Sequence, residues 1–193
     1  MNLAYAREYA KKFTFADKVV KHVRAQHIVR YAFGVCQTNE LDLALTRRKE
    51  ELTDVYILHD PTYRSYAAFE SDPMEKHFHF IASKWGEQWN ETLSSINPFY
   101  KRIDSGRETP GLIFMAAVSP MDQDGYFWIT EGELEESLQA EIENAEYVVV
   151  EVNENIPGHK KIGCRIHISQ VNAVVISNNA PLLNSTKFEV FNG

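Results

Sequence analysis

Two runs decide the fold: LIFMAAV at residues 112–118 and YVVVEV at residues 147–152. A strand with one wet face alternates apolar and polar residues. A short run that is apolar at nearly every position marks a strand covered on both faces, as in the interior of a parallel sheet. Around these two, HIVRYAF (27–33), VYILH (55–59), HFHFIA (77–82), YFWIT (126–130) and AVVIS (173–177) also read as strands.

Between the strands the periodicity changes. Residues 3–12 and 15–24 read as short helices, the second with Val19, Val20 and Val23 on its dry side and Lys18, Lys21 and Arg24 on its wet side. Thr38 or Asn39 caps a helix whose apolar face is Leu41, Ala44, Leu45 and Leu52. Glu87–Leu93 reads as a further short helix and Glu133–Asn144 as an acidic one. Residues 60–73 and 94–111 read as connections. Helix and strand alternate through the first sixty residues, the rhythm of βαβ units. The expected architecture is one α/β domain over residues 1–193, with a helical lead-in at 1–14 and a tail at 182–193. Its open, mostly parallel sheet carries flanking helices, with 112–118 and 147–152 in the interior. Such sheets bind ligands beyond the carboxyl ends of their strands, here the loops after Phe33, Val118 and Val152.

The composition, 44% hydrophobic and 24% charged over 193 residues, suits a globular chain that can bury a core without disulfides or metal. A net charge of −7 argues against nucleic acid, which needs clustered cations. Cys36 and Cys164 stand far apart and outside any CxxC spacing, so neither a disulfide framework nor a zinc knuckle is expected. No stretch has the length and apolarity of a membrane span or a signal sequence. The expectation is a cytoplasmic protein with no membrane partner.

Chemistry concentrates in a few stretches. In YAFGVCQTNELDLAL (31–45) a strand runs through Gly34, which permits a positive φ, into a helix start with unpaired amides. In VSPMDQDGYFWIT (118–130) an apolar strand opens into Ser119-Pro120, and Asp122 or Asp124 is placed to fold back on turn amides before Gly125. Glu151, inside YVVVEVNEN, could act as a buried acid or base. The better reading is a carboxylate bound to neighbouring loop backbone, holding the turn 153–157. His167 lacks an acidic or thiol partner at triad spacing and reads as structural. His77 and His79 face one side of a strand but lack a third ligand, so no metal is expected. Cys36, near a helix start, reads as packing rather than as a reactive thiol.

Three of these stretches, SPMD-x-x-GYF (119–127), EVNENIP (151–157) and IHIS (166–169), occur together and in order. With Thr38-Asn39-x-Leu41-Asp42-x-Ala44-Leu45 upstream, they resemble the acetyl-CoA hydrolase/transferase family, above all its butyryl-CoA:acetate and 4-hydroxybutyrate CoA-transferase branch. The resemblance covers most of residues 15–182. It departs at Gln26-His27, where the family has Gly-Asp, at Asp124, often His in the family, and in a shorter connection between Leu93 and Pro110.

The resemblance implies a family I CoA-transferase half-domain. It also implies CoA transfer between an acyl-CoA and a short-chain carboxylate of the acetate or butyrate type, with coenzyme A as substrate and no other cofactor. In that chemistry a glutamate attacks the thioester, giving a mixed anhydride and then a glutamyl-CoA thioester. The nucleophile belongs to a carboxy-terminal half, and no segment up to Gly193 resembles it. The chain is therefore expected to form one wall of the cleft, with Gly34, Thr38, Asn39, Ser119, Pro120, Met121 and Gly125 lining it and no catalytic residue of its own. The expected partner is that second half or another copy, received on an apolar surface within residues 78–100, where Phe78, Phe80, Trp85 and Trp89 lie. The alternative is a non-catalytic acyl-CoA-binding or assembly module derived from the same family.

Overall fold

The computed structural model describes residues 3–32, 34, 36–59, 65–82, 111–129, 135–156, 158 and 164–177. The strands are β1 (Ile28–Tyr31), β2 (Val55–His59), β3 (Phe78–Ala82), β4 (Leu112–Val118), β5 (Tyr126–Trp128), β6 (Tyr147–Val152), β7 (Arg165–His167) and β8 (Ala173–Ile176). The helices are α1 (Leu3–Lys12), α2 (Ala16–Val19), α3 (Glu40–Arg47), α4 (Ala67–Ser71) and α5 (Glu135–Asn144). Six strands form one sheet in the order β3-β2-β1-β4-β6-β8, parallel at every pair. The two apolar runs, β4 and β6, are neighbours inside it, in register from Ile113 opposite Tyr147 to Val118 opposite Val152.

Both faces of these strands are covered, and their residues divide by parity. Ile113, Met115 and Val149 join Val29, Tyr31 and Val175 in a core with Leu41, Ala44 and Leu45 of α3. Phe114, Ala116, Val118, Val148, Val150 and Val152 face the other way, onto Leu138 and Ile142 of α5, and onto Phe127 and Ile166. No position of β4 is left for water, which explains its unbroken apolar sequence. Arg30 is the exception on β1: buried at 4% exposure, its Nε donates to Glu141 of α5 at 2.7 Å, and its Nη1 donates to the Tyr31 carbonyl.

Several expectations need correction. Residues 126–130 do not extend the main sheet; β5 stops at Trp128 and pairs antiparallel with β7, a strand the sequence did not announce. The segment expected at 15–24 is a single turn of α-helix followed by a 3₁₀ turn at Val20–His22. The first strand is shorter than 27–33, ending at Tyr31. Within the stretch read as the connection 60–73 lies α4. Its first amides, of Ala67 and Ala68, donate to the Asp42 carboxylate at 2.6 and 3.3 Å. That cap comes from another helix, so no local signal foretells it. The helix expected at 87–93, most of the connection at 94–111 and the tail 182–193 fall outside the described residues.

On the β2 side, Asp72 plays the same part. Its carboxylate accepts from the amides of Lys76, His77 and Phe78, closing the turn into β3. Burial pushes the carboxyl up. The three amides outweigh that and hold it below the ordinary range. An Asp with a lowered folded value stabilises the fold above its unfolded value of about 3.9, and the gain is lost as pH falls through the folded value. Asp72→Asn should therefore cost about 1–3 kcal/mol at pH 7. In urea titrations from pH 7 to pH 3, the gap from the parent chain should narrow at the acid end. A gap independent of pH would show that the Asp72 charge is not what holds the turn.

Candidate functional site

The sheet order places a topological switch point between β1 and β4. From β1 the chain leaves over one face, through α3, to β2; from β4 it leaves over the other, through β5 and α5, to β6. In parallel sheets of this kind ligands bind beyond the carboxyl ends of the strands at such a point. Gly34, Thr38 and Asn39 stand in the first loop, and Ser119, Pro120 and Met121 in the second. The first loop is tied to β4, where the Ala117 amide donates to the Cys36 carbonyl at 2.8 Å, and it closes on itself as the Gln37 amide donates to the Gly34 carbonyl at 3.3 Å. Gly34 has φ +56°, the conformation its sequence position suggested. Thr38 is fully buried, and Cys36 is a buried free thiol in the core.

The end of β6 meets the first loop through Glu151. This residue sits at the carboxyl end of β6 on the face toward α3, and it is 1% exposed. The Asn39 amide donates to both carboxylate oxygens, at 3.1 and 3.0 Å, and the Leu41 amide donates to Oε2 at 3.1 Å. Glu151 thus caps α3, which has no cap from the Asn39 side chain. Burial pushes its carboxyl upward, and the amides of Leu41, Glu40 and Asn39 oppose that. The buried Ser177 hydroxyl also favours the charged form, although its geometry falls short of a hydrogen bond. The expected tie to the 153–157 turn is absent among the described residues. That turn is held instead by the Asn153 side chain, which accepts from the Asn155 amide at 2.9 Å.

The second loop is a self-bonded unit. Ser119 Oγ accepts from the Trp128 amide at 3.1 Å and donates to the Pro120 carbonyl at 3.0 Å. Asp122 accepts from the amides of Asp124 and Tyr126, both at 2.9 Å, and from Trp128 Nε1 at 3.1 Å. The SPMD-x-x-GYF string is therefore a hydrogen-bonded corner that delivers Pro120, exposed, and Met121, nearly buried, to the end of β4. Gly125 closes the corner at φ +86°, packed against Tyr5 and His167. It meets α1 and β7 there. The residues that sequence reasoning passed over at the strand ends are Gln37, Asn153 and Ser177, all buried and polar. A polar residue directly after an apolar strand was the available signal.

Other candidates resolve into structure. His167 caps the 168–170 turn, with Nδ1 2.7 Å from Ser169 Oγ. His77 lies beside the Leu52 carbonyl and Glu50, and His79 beside Asp54. Among the described residues no three His, Cys, Asp or Glu side chains are placed to hold a metal ion, and no helix is long and apolar enough to cross a membrane.

An open parallel α/β domain, with its loops gathered at the switch point, defines the class. Residues 111–183 match the model of the acetyl-CoA hydrolase/transferase N-terminal domain. The chain is 32% identical over 189 residues to a probable butyrate:acetyl-CoA coenzyme A-transferase of Syntrophomonas wolfei, covering 91% of this chain and 40% of that protein. It is 30% identical over 189 residues to the butyryl-CoA:acetate CoA-transferase of Anaerostipes caccae, covering 92% and 41%. In fold it is similar to the solved 4-hydroxybutyrate CoA-transferase of Porphyromonas gingivalis, with a TM-score of 0.69 at 20% identity, covering 93% and 42%. By these matches the chain is similar to the amino-terminal part of the acetyl-CoA hydrolase/transferase family. It spans about two fifths of the length of the curated relatives it matches.

Two substitutions test this account of the loops. Glu151→Gln turns an amide NH₂ toward backbone donors and should cost about 1.5–3 kcal/mol of stability in urea denaturation; an unchanged midpoint would refute the cap. Gly125→Ala combines a positive φ with a Cβ 2.9 Å from His167 Nε2 and 3.0 Å from Tyr5 Cγ. It should cost on the order of 1–3 kcal/mol, read as a lowered melting temperature.

Proposed function

We propose that this chain is the amino-terminal half of a cytoplasmic CoA-transferase that moves CoA between an acyl-CoA and a short-chain carboxylate such as acetate or butyrate. Its loops after β1, β4 and β6 form one wall of the acyl cleft, and a carboxy-terminal half supplies the nucleophilic glutamate. The observation that carries this reading is the state of Glu151. It is the carboxylate the sequence offered as a buried acid or base, yet both its oxygens face backbone amides and 1% of the residue is exposed. A carboxylate held that way caps a helix and is not free to attack a thioester, which requires an accessible oxygen aligned with the carbonyl carbon. The similarity to butyrate and butyryl-CoA transferases, over about two fifths of their length, supports the remainder of the reading.

Incubation of the isolated chain with acetyl-CoA or butyryl-CoA, followed by intact mass spectrometry, should give no glutamyl-CoA adduct. No CoA should pass to acetate until a carboxy-terminal half is added. Turnover by the chain alone would overturn the half-enzyme reading and return attention to Glu151. Tight acyl-CoA binding without turnover, even with the second half present, would favour a binding module instead.

A further inference from the structure

Of the segment 78–100, where an apolar surface was expected, only residues 78–82 are described. Phe78 is wholly buried and Phe80 half-buried, while Trp85 and Trp89 lie outside them. Phe69, 40% exposed, packs on Phe80, and three other exposed large hydrophobic side chains lie together at a second place. Phe13, Phe15 and Ile176, at 45, 65 and 46% exposure, border a groove of about 230 Å³ at the open side of β8. Thr14, Ala16, Asp17, Glu40, Arg47 and Val175 complete its lining. The Phe13 and Phe15 rings lie 6.0 Å apart, edge to face.

The backbone beside the groove is half occupied. Phe13 bridges to Val174 in parallel, and the Thr14 amide donates to the Val174 carbonyl at 2.9 Å. The chain then turns away into α2. Backbone groups along a strand alternate in direction, so Ile176, two residues past Val174, presents its amide and carbonyl to the same outer side. A short length of strand edge therefore continues past the bridge, flanked by two phenylalanines and an isoleucine.

We infer that this groove seats an extended apolar segment of the carboxy-terminal half, laid alongside the end of β8. The inference rests on the half-enzyme reading above and deepens it by assigning the contact surface. Three observations select this occupant. The matched family model is an amino-terminal domain, and the relatives carry more than half their length outside the match. Val175 and Ile176, at the carboxyl end of β8, line the groove itself. Side chains of this size on a strand edge suit pairing with another strand, whose backbone bonds give affinity and whose apolar residues fill the groove.

The test is binding of the purified carboxy-terminal segment of the Syntrophomonas wolfei relative to this chain, measured by calorimetry. The parent chain is compared with Phe15→Ser and Ile176→Ser, and with Leu3→Ser on exposed α1 as control. The groove variants should weaken binding at least about tenfold each, as truncation of an interface anchor does, and the control should leave it unchanged. Hydrogen exchange on the parent complex should show new protection at residues 14–17 and 175–177, a readout independent of how the variants fold. Binding unaffected by both groove variants, without protection there, would overturn the groove assignment while leaving the half-enzyme reading intact. No binding by the parent chain would overturn both.

Discussion

The carboxylate of Glu151 is the point on which the upper end of this domain depends. The first turn of a helix leaves amides without partners, and α3 begins with a residue whose own side chain offers none. A glutamate from the end of β6 reaches across the sheet and takes those amides on both oxygens. The loop after β1 is fixed against β6 as a result, and β4, lying between the two strands, is enclosed.

The same device recurs down the molecule. Asp42, inside α3, takes the first amides of α4; Asp72, just beyond α4, takes the amides leading into β3. A cap on α3 thereby positions the residue that caps the next helix. Asp42 also receives the Tyr31 hydroxyl at 3.2 Å, and the desolvated phenol is pushed well above its ordinary range, with the Asp42 charge adding to the effect. Glu151, Asp42 and Asp72 are all engaged in ordering backbone.

How much of this could be read from the sequence follows from where each signal resides. Strands β4 and β6 were legible because burial on both faces leaves its mark on every residue of the strand. Gly34 was legible because a positive φ selects glycine. The corner at 119–128 was legible in part: Asp122 announced a turn, but its bond to the Trp128 indole did not show. Strand β7 and helix α4 were not legible. Each is short, one requires β5 as its partner, and the other requires a carboxylate from a different helix. Glu151 was assigned to the wrong loop for the same reason, since its partners are remote in the chain.

The separation between Glu151 and Asn39 is 112 residues, and this bears on how the protein is made. A ribosome adds about 5–20 residues per second, so roughly 6–22 s pass between the emergence of the two ends of this contact. During that interval α3 can form its turns, but its leading amides have only water to bind. Strands β1 and β2 are out before β4, the other neighbour of β1, exists. The amino-terminal third of the chain therefore waits, half assembled, for a side chain from the carboxy-terminal third. Translation pauses within residues 112–151 would lengthen the period in which its apolar faces are open to chaperones.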